Sequence, residues 1–240
     1  MDVSGYSLEI LCGDGELVLS RARSPDGAPS VLVLAPLAEQ PEPAVLARLE
    51  REYALADELE GAWAARPLAL VRNTSPVKLI LEDKGGDPVD VGSKCPLDLK
   101  RFLHVAIGLA AAIGQVHRRG LIHKDIRPAN VLVDAGGHVR LTGFGLATRL
   151  PRERQVPVPP EFIVGTLAYM APEQTGRMNR SVDARSDLYA VGVTLYEMLT
   201  GTLPFVASDP MEWIHCHIAR PPVPPRERTG GIPKWSKPSS

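Results

Sequence analysis

The chain has 240 residues, of which 44% are hydrophobic and 23% are charged, and its formal net charge at pH 7 is −1. This length and composition are typical of globular proteins with a substantial core, in one large domain or two lobes, and they exclude disorder throughout. The near-neutral charge argues against a nucleic-acid partner, and three widely separated cysteines argue against a disulfide framework or a thiolate metal site.

The sequence shows neither an export signal nor a membrane span. The N-terminus, MDVSGYSLEI, has neither the basic nor the apolar block of a signal peptide. No apolar run approaches the roughly 20 residues that cross a bilayer. We therefore expect a cytoplasmic protein without membrane insertion.

The first third of the chain alternates short apolar runs with turn residues. The runs Leu17–Leu19, Val31–Leu34, Leu68–Val71 and Val77–Leu81 predict strands of an antiparallel sheet. Apolar residues at helical spacing predict one helix at about 43–60.

The middle of the chain predicts a long helix and a hairpin. Apolar residues over Leu99–Val116 lie on one face of a helix that ends at Gly120. Two short strands follow, joined by the turn Ala135–Gly137.

The last third predicts two more helices and a tail. The helices lie at about 184–200, ending at Gly201, and near 209–219, opened by Ser208. The proline-rich and serine-ending segment 221–240 is expected to be a linker or a frayed end.

A polar loop, LIHKDIRPAN at 121–130, separates the long helix from the hairpin. Asp125 and Asn130 are five positions apart, so that one loop can aim a carboxylate and an amide at the same ligand. A general base and a metal ligand have this form, whereas the alternative is a satisfied structural turn.

The sequence HKDIRPAN resembles the H-R-D-x-x-x-x-N catalytic loop of protein kinases, with Lys124 at the place of the arginine. Other segments agree in order. The segment 141–147, LTGFGLA, stands where D-F-G belongs, and 165–173, GTLAYMAPE, resembles the end of an activation segment. The segment 186–192, SDLYAVG, resembles the buried helix whose aspartate anchors the catalytic loop.

The resemblance covers about residues 6–220 and implies an α+β, bilobal protein-kinase-like fold. It implies a small antiparallel sheet lobe with one helix at 6–82, and a larger, mainly helical, C-terminally truncated lobe at 83–220. The wording of 165–201 is similar to the N-terminal kinase-like modules of large bacterial multi-sensor hybrid histidine kinases. This similarity implies signal transduction, with a protein partner or downstream signalling domains.

The resemblance also implies roles for individual residues. Asp125 would accept the proton of a substrate hydroxyl, and Arg127 would replace the lysine that steadies the transferring phosphate. Asn130 would bind the metal ion, and Glu82 and Lys84 would offer backbone groups to adenine. The implied cofactors are ATP and Mg²⁺.

Two further residues are implied to be structural. Asp187 would anchor the catalytic loop. Glu173 would pair with an arginine from helices after the one at 209–219, and we expect that partner to be missing because the chain ends at Ser240.

Two cleft positions depart from the kinase pattern. Gly143 replaces the metal-binding aspartate of D-F-G, and glycine offers no side-chain oxygen to Mg²⁺. Leu34 is the expected occupant of the lysine position, which leaves Glu52 without its usual partner unless Arg21 or Arg23 reaches it.

The phosphate-covering loop is also reduced. Gly13 and Gly15 are followed by no third glycine, and Asp14 is expected to repel phosphate. Because electrostatic stabilisation is usually the largest catalytic contribution, we expect a degenerate, pseudokinase-like regulatory or interaction module. The alternatives are an active serine/threonine kinase that transfers the γ-phosphate of ATP and a non-functional gene remnant.

Overall fold

The computed structural model describes residues 5–89, 92, 95–149, 166–176, 180–230 and 232. Within them the chain forms an antiparallel sheet with one helix, followed by a mainly helical part. The predicted α+β class is confirmed.

A five-stranded antiparallel sheet forms the N-terminal part. Its strands are β1 (Ser7–Gly13), β2 (Leu17–Arg23), β3 (Val31–Pro36), β4 (Pro67–Val71) and β5 (Lys78–Glu82). Their order in the sheet is β1-β2-β3-β5-β4. The four predicted strands are confirmed. Strand β1 is additional; most of its residues are exposed, but its sequence alternates apolar and polar residues from Tyr6 to Ile10, which is the pattern of a strand.

Helix α1 (Pro43–Tyr53) packs on the sheet through a buried face that includes Val45 and Leu49. The predicted helix over 43–60 was too long. After Tyr53 the chain continues in tighter turns, and Leu55 and Leu59 are buried in the core of the helical part. The helix therefore ends where the buried residues change from the core of the sheet to the core of the helical part.

Helix α2 (Leu99–Arg118) confirms the predicted long helix. By length and composition it could cross a membrane, but Val105, Leu109 and Ile113 are buried in the core of the helical part. The packing is that of an amphipathic helix with one face in the core, because Leu103 and Ile107 on its other side are 49% and 69% exposed.

The hairpin after the polar loop is also confirmed. Its strands are β8 (Val131–Val133) and β9 (Val139–Leu141). Asp134 closes the turn, because its side chain accepts the Gly136 N–H at 2.9 Å and its carbonyl accepts the Gly137 N–H at 2.9 Å. Three short strands complete the sheets: β6 (Asp87–Pro88) pairs with β8, and β7 (Leu121–Ile122) pairs with β10 (Thr148–Arg149).

Helix α3 (Ala184–Thr200) ends at Gly201, whose φ of 73° is the left-handed conformation that favours glycine. Helix α4 (Pro210–Ala219) starts one residue later than predicted. Its N-cap is Asp209, which accepts the N–H of Met211 at 2.8 Å, so the predicted cap, Ser208, was wrong.

Part of the segment predicted as a tail is ordered against α3. Helix α5 (Pro225–Arg228) is a single turn. The Tyr196 hydroxyl donates to the Val223 carbonyl at 2.8 Å. Residues 231 and 233–240 lie outside the described residues.

Candidate functional site

One buried carboxylate on α3 holds the polar loop in place. Asp187 is fully buried and accepts the backbone N–H groups of His123 at 2.9 Å and Lys124 at 2.8 Å. Its Oδ2 also lies 2.9 Å from Nε2 of His117. Among the described residues, Lys124 is the one non-glycine with left-handed backbone, at φ 70°, and these hydrogen bonds fix it there. The predicted anchoring role of Asp187 is confirmed.

His123 is a packed residue at the base of the loop. Its ring is buried 4.5 Å from the ring of Phe144, centroid to centroid. Nδ1 accepts the Asp125 N–H at 3.3 Å, so Nε2 carries the proton and donates to the Thr142 carbonyl at 3.0 Å. Burial lowers the pKa of His123, which keeps the ring neutral in this role.

The loop brings three of the predicted site residues together. The Asn130 side-chain amide donates to the Asp125 carbonyl at 2.8 Å and to Asp125 Oδ2 at 2.9 Å. Arg127 Nε lies 3.5 Å from the same Oδ2. Asn130 therefore orients the Asp125 carboxylate.

Gly143 packs directly against Asn130. Its φ is 80°, and a Cβ at this position would lie 2.6 Å from Nδ2 of Asn130. The position supplies no carboxylate, and this arrangement has no room for one.

The lysine position is occupied by an apolar side chain. Leu34 on β3 is buried and lines the cleft between the sheet and the polar loop. Arg21 pairs with Asp83 at 2.8 Å, and Arg23 pairs with an exposed glutamate on β1 at 2.9 Å. In the described part of the chain neither arginine pairs with Glu52, so the sequence-based expectation that Glu52 lacks its usual partner holds for both of them.

Glu52 is a buried acid at the back of the cleft. Burial raises its pKa to about 7, although the backbone amides of Phe144 and Gly143 and the charge of Arg48 act in the opposite direction. Its Oε1 has no hydrogen-bond partner among the described residues. Near neutral pH this side chain therefore exchanges between its neutral and charged forms.

Arg48, one helical turn before Glu52, is the cleft residue that the sequence analysis missed. Its Nη2 donates to Asp14 Oδ2 at 2.7 Å and its Nη1 to Glu16 Oε2 at 2.7 Å. The sequence did contain a signal for Arg48, because it lies four positions before Glu52 and residues four apart on a helix share one face.

Asp14 is bound on both of its oxygens. Oδ1 accepts the N–H groups of Glu16 at 2.9 Å and Leu17 at 2.6 Å, while Oδ2 faces Arg48. Burial alone would raise the pKa of Asp14, but the Leu17 N–H and the Arg48 guanidinium together hold it below its ordinary value. Asp14, expected to repel phosphate, thus pairs with a cation of the protein itself.

The resulting cavity is small. It holds about 30 Å³, whereas pockets for drug-sized ligands hold roughly 300 Å³ or more. Its charged lining consists of two arginines and three carboxylates: Arg48, Arg127, Asp14, Glu52 and Asp125.

The sequence of the chain matches a known protein family. A sequence model described as protein kinase domain matches residues 44–236, which is most of the chain. The chain belongs to the protein kinase family. The five-stranded antiparallel sheet and the helices of the structure are consistent with a kinase-like fold.

Similar curated proteins are bacterial serine/threonine kinases. The serine/threonine-protein kinase PknB of Mycobacterium tuberculosis is 34% identical over 142 residues, which are 59% of this chain and 22% of that protein. PknB of Mycobacterium leprae is 34% identical over 137 residues, 57% of this chain and 22% of that protein. A probable PknB of Bifidobacterium longum is 37% identical over 130 residues, 54% of this chain and 19% of that protein. The matched region spans about a fifth of each of these relatives.

Two predicted adenine-binding residues of the kinase domain lie at the end of β5. Leu81 lines the cavity, whereas Glu82 and Lys84 are not among its described lining residues. The Glu82 N–H donates to the Arg66 carbonyl at 2.8 Å, and Lys84 Nζ lies 3.6 Å from Glu82 Oε1. The expected contacts are through backbone groups, of which the Glu82 N–H is already donated to Arg66, and binding of adenine by these residues stays a prediction.

The described part of the activation segment of the kinase domain, Thr166–Gly176, packs on α3 and α4. Glu173 Oε1 accepts the Ser186 hydroxyl at 2.5 Å. Among the described residues no arginine pairs with Glu173, so the hydroxyl is its partner there. Gly165, the first residue of the motif, lies outside the described residues.

Proposed function

We propose that this protein kinase domain of serine/threonine type is degenerate and acts as a regulatory or interaction module in signal transduction, with weak or absent phosphoryl transfer. The observation that carries the proposal is the charge content of the cleft. Leu34 provides no cation, Gly143 provides no carboxylate, and both arginines of the cleft face Asp14.

Phosphoryl transfer depends on positioning and on neutralising the charge of the phosphates. Losing one such electrostatic donor costs roughly 3 kcal/mol of transition-state stabilisation. The position of Gly143 and that of Leu34 each lack the charged group that the reaction requires, so we expect very slow transfer.

The residues present do not fit Mg²⁺ well. This ion prefers carboxylate and water oxygens in near-octahedral geometry. The Asn130 amide nitrogen donates to Asp125, which leaves Asn130 Oδ1 as a single amide oxygen for the ion, and Gly143 adds no side-chain oxygen. The cavity beside Asp125 and Gly143, at about 30 Å³, is smaller than a nucleotide requires, although a second cavity of about 280 Å³ lies next to it between Cys12 and Arg127.

The alternative is an active kinase that transfers the γ-phosphate of ATP to protein hydroxyls. The juxtaposition of Asp125, Arg127 and Asn130 favours it. In that case Asp125 is the base, Arg127 steadies the phosphate, Asn130 holds the metal, and the backbones of Glu82 and Lys84 contact adenine.

The wider setting also belongs to the proposal. We place an N-lobe at 6–82 and a C-lobe at 83–220, acting in the cytoplasm beside a protein partner or downstream signalling domains. A place in two-component signalling is part of this proposal, and its one support is the wording of the sequence 165–201, which we interpret as resembling modules of hybrid histidine kinases.

The test is transfer from ATP labelled at the γ-phosphate, with Mg²⁺ or Mn²⁺, to the chain itself and to a general acceptor protein. The matched control is Asp26→Ala, because Asp26 is an exposed aspartate in the turn before β3. We expect no incorporation above that of Asp125→Ala. Incorporation that Asp125→Ala abolishes and Asp26→Ala leaves intact, in variants with unchanged melting temperature, would establish the active kinase instead.

A further inference from the structure

We infer that Arg48 and Arg127 form a metal-independent anion site for the phosphate oxygens of a polyphosphate ligand, and that Asp14 occupies this site as an intramolecular competitor. The inference rests on the proposed function in one respect, the loss of the usual cation and metal carboxylate. It assigns the binding of phosphate to two arginines instead.

The two carboxylate oxygens of Asp14 have different partners. Oδ1 holds the turn by accepting two backbone N–H groups. Oδ2 lies 2.7 Å from Nη2 of Arg48 and 3.8 Å from Nη2 of Arg127. The second oxygen therefore lies between two guanidinium groups, as a phosphate oxygen does when two arginines bind it.

The two arginines converge from separate elements. Arg48 lies on α1, and Arg127 lies on the polar loop that Asp187 anchors. Their side chains are only 11% and 13% exposed. Because burial reduces screening by solvent and salt, each guanidinium interacts more strongly with an anion here than on the surface.

Asp14 leaves hydrogen-bonding capacity unused in both arginines. The Nε atoms of Arg48 and Arg127 are buried and have no hydrogen-bond partner among the described residues, although Arg127 Nε forms an ion pair with Asp125 Oδ2 at 3.5 Å. A carboxylate with one oxygen committed to the turn cannot reach these donors. A phosphate group offers more acceptor oxygens, so it can satisfy donors that Asp14 leaves unpaired.

The loop that carries Asp14 contains two glycines. Gly13 and Gly15 flank it, and Gly15 has φ 90° with no atom within 4 Å of where its Cβ would lie. The cavity of about 30 Å³ is thus closed by a loop with glycine on both sides. Removing the Asp14 charge changes the charged lining from two cations and three carboxylates to two of each.

Glu16 provides a matched control for Asp14. It accepts from the other Arg48 nitrogen, Nη1, at the same 2.7 Å, but its side chain is 55% exposed and is not part of the described cavity lining. Glu16→Gln and Asp14→Asn each remove one negative charge beside the same arginine. In Asp14→Asn the Oδ1 atom still accepts the turn N–H groups, while an amide replaces the oxygen that competes with phosphate.

The experiment is isothermal titration of the full chain with inorganic tripolyphosphate in EDTA at fixed, moderate ionic strength. We expect Asp14→Asn to bind roughly tenfold or more tightly than both the wild type and Glu16→Gln, because freeing an occupied site raises apparent affinity by the inverse of its free fraction. Adding Arg127→Met or Arg48→Met to Asp14→Asn should abolish the gain. Asp14→Ser, whose hydroxyl can still cap the turn, is the second variant if Asp14→Asn folds poorly.

Three results would overturn the inference: equal affinity in Asp14→Asn and Glu16→Gln, a gain that survives the loss of either arginine, or no binding by any folded variant. This binding measurement requires neither a metal ion nor phosphoryl transfer. Phosphoryl transfer that depends on Asp125 would refute the proposed function and leave the Asp14 result unaffected, and the reverse outcome is equally distinguishable.

Discussion

Replacing Glu52 with glutamine tests whether a buried acid without its lysine weakens the fold at neutral pH. Glu52 is 1% exposed, and burial raises its pKa from 4.5 to about 7. Between these pH values the unfolded chain has lost a proton that the folded chain keeps. Stability therefore falls as pH rises through this window, and the full difference corresponds to roughly 3 kcal/mol.

The assay is urea unfolding of the wild type and Glu52→Gln at pH 5, 6, 7 and 8. Glutamine resembles the protonated acid in shape and cannot ionise, so the variant lacks this pH dependence. We expect the free energy of unfolding of the wild type to fall relative to that of the variant by roughly 2 to 3 kcal/mol between pH 5 and pH 8. Most of that change should lie below pH 7.

Glu50→Gln is the control on the same helix. Glu50 is 58% exposed and pairs with the equally exposed Arg72 at 3.3 Å, an interaction that contributes little. Its difference from the wild type should stay nearly constant over the same range. A constant difference between the wild type and Glu52→Gln, or a wild type that gains stability relative to the variant as pH rises, would refute the reasoning about the buried acid.

Two further substitutions test the supports of the site. Asp187→Asn should lower the free energy of unfolding by roughly 3 kcal/mol or more. The reason is that an amide has one accepting oxygen and cannot replace both carboxylate oxygens, which accept the N–H groups of His123 and Lys124. An unchanged thermal transition would contradict this prediction. Gly143→Ala should lower it by roughly 1 to 3 kcal/mol, because of its φ of 80° and the clash with Asn130. The control is Gly192→Ala on α3, where an added Cβ would meet no other atom within 4 Å; in the same thermal assay it should be neutral or stabilising. Equal changes in stability for Gly143→Ala and Gly192→Ala would contradict the packing argument.

The regular elements could be predicted because their signals are local. Helix α3 has a continuous apolar sequence and the glycine that ends it, and the 131–141 hairpin has its turn residues between two apolar runs. Strand β1 was missed although Leu8 and Ile10 alternate with polar residues in the sequence; both are exposed, at 57% and 74%, and the strand is held by pairing with β2.

The proximity of site residues could be predicted only where they lie in one segment of the sequence. Asp125 and Asn130 share a loop, so their proximity followed from sequence spacing. The pairing of Asp14 with Arg48 joins positions 34 apart, and that of Arg21 with Asp83 joins positions 62 apart. Such contacts depend on how α1 and the strands are oriented in space, which hydrophobic periodicity does not specify.

The central claim is that the cleft retains its proton acceptor but lacks the cation and the carboxylate that hold a metal-bound triphosphate. Isothermal titration of the wild-type chain with ATP, in Mg²⁺ and in EDTA, tests it most directly. We predict that Mg²⁺ does not tighten ATP binding. Binding that Mg²⁺ strengthens tenfold or more, and that Asn130→Ala abolishes in a folded variant, would contradict the claim.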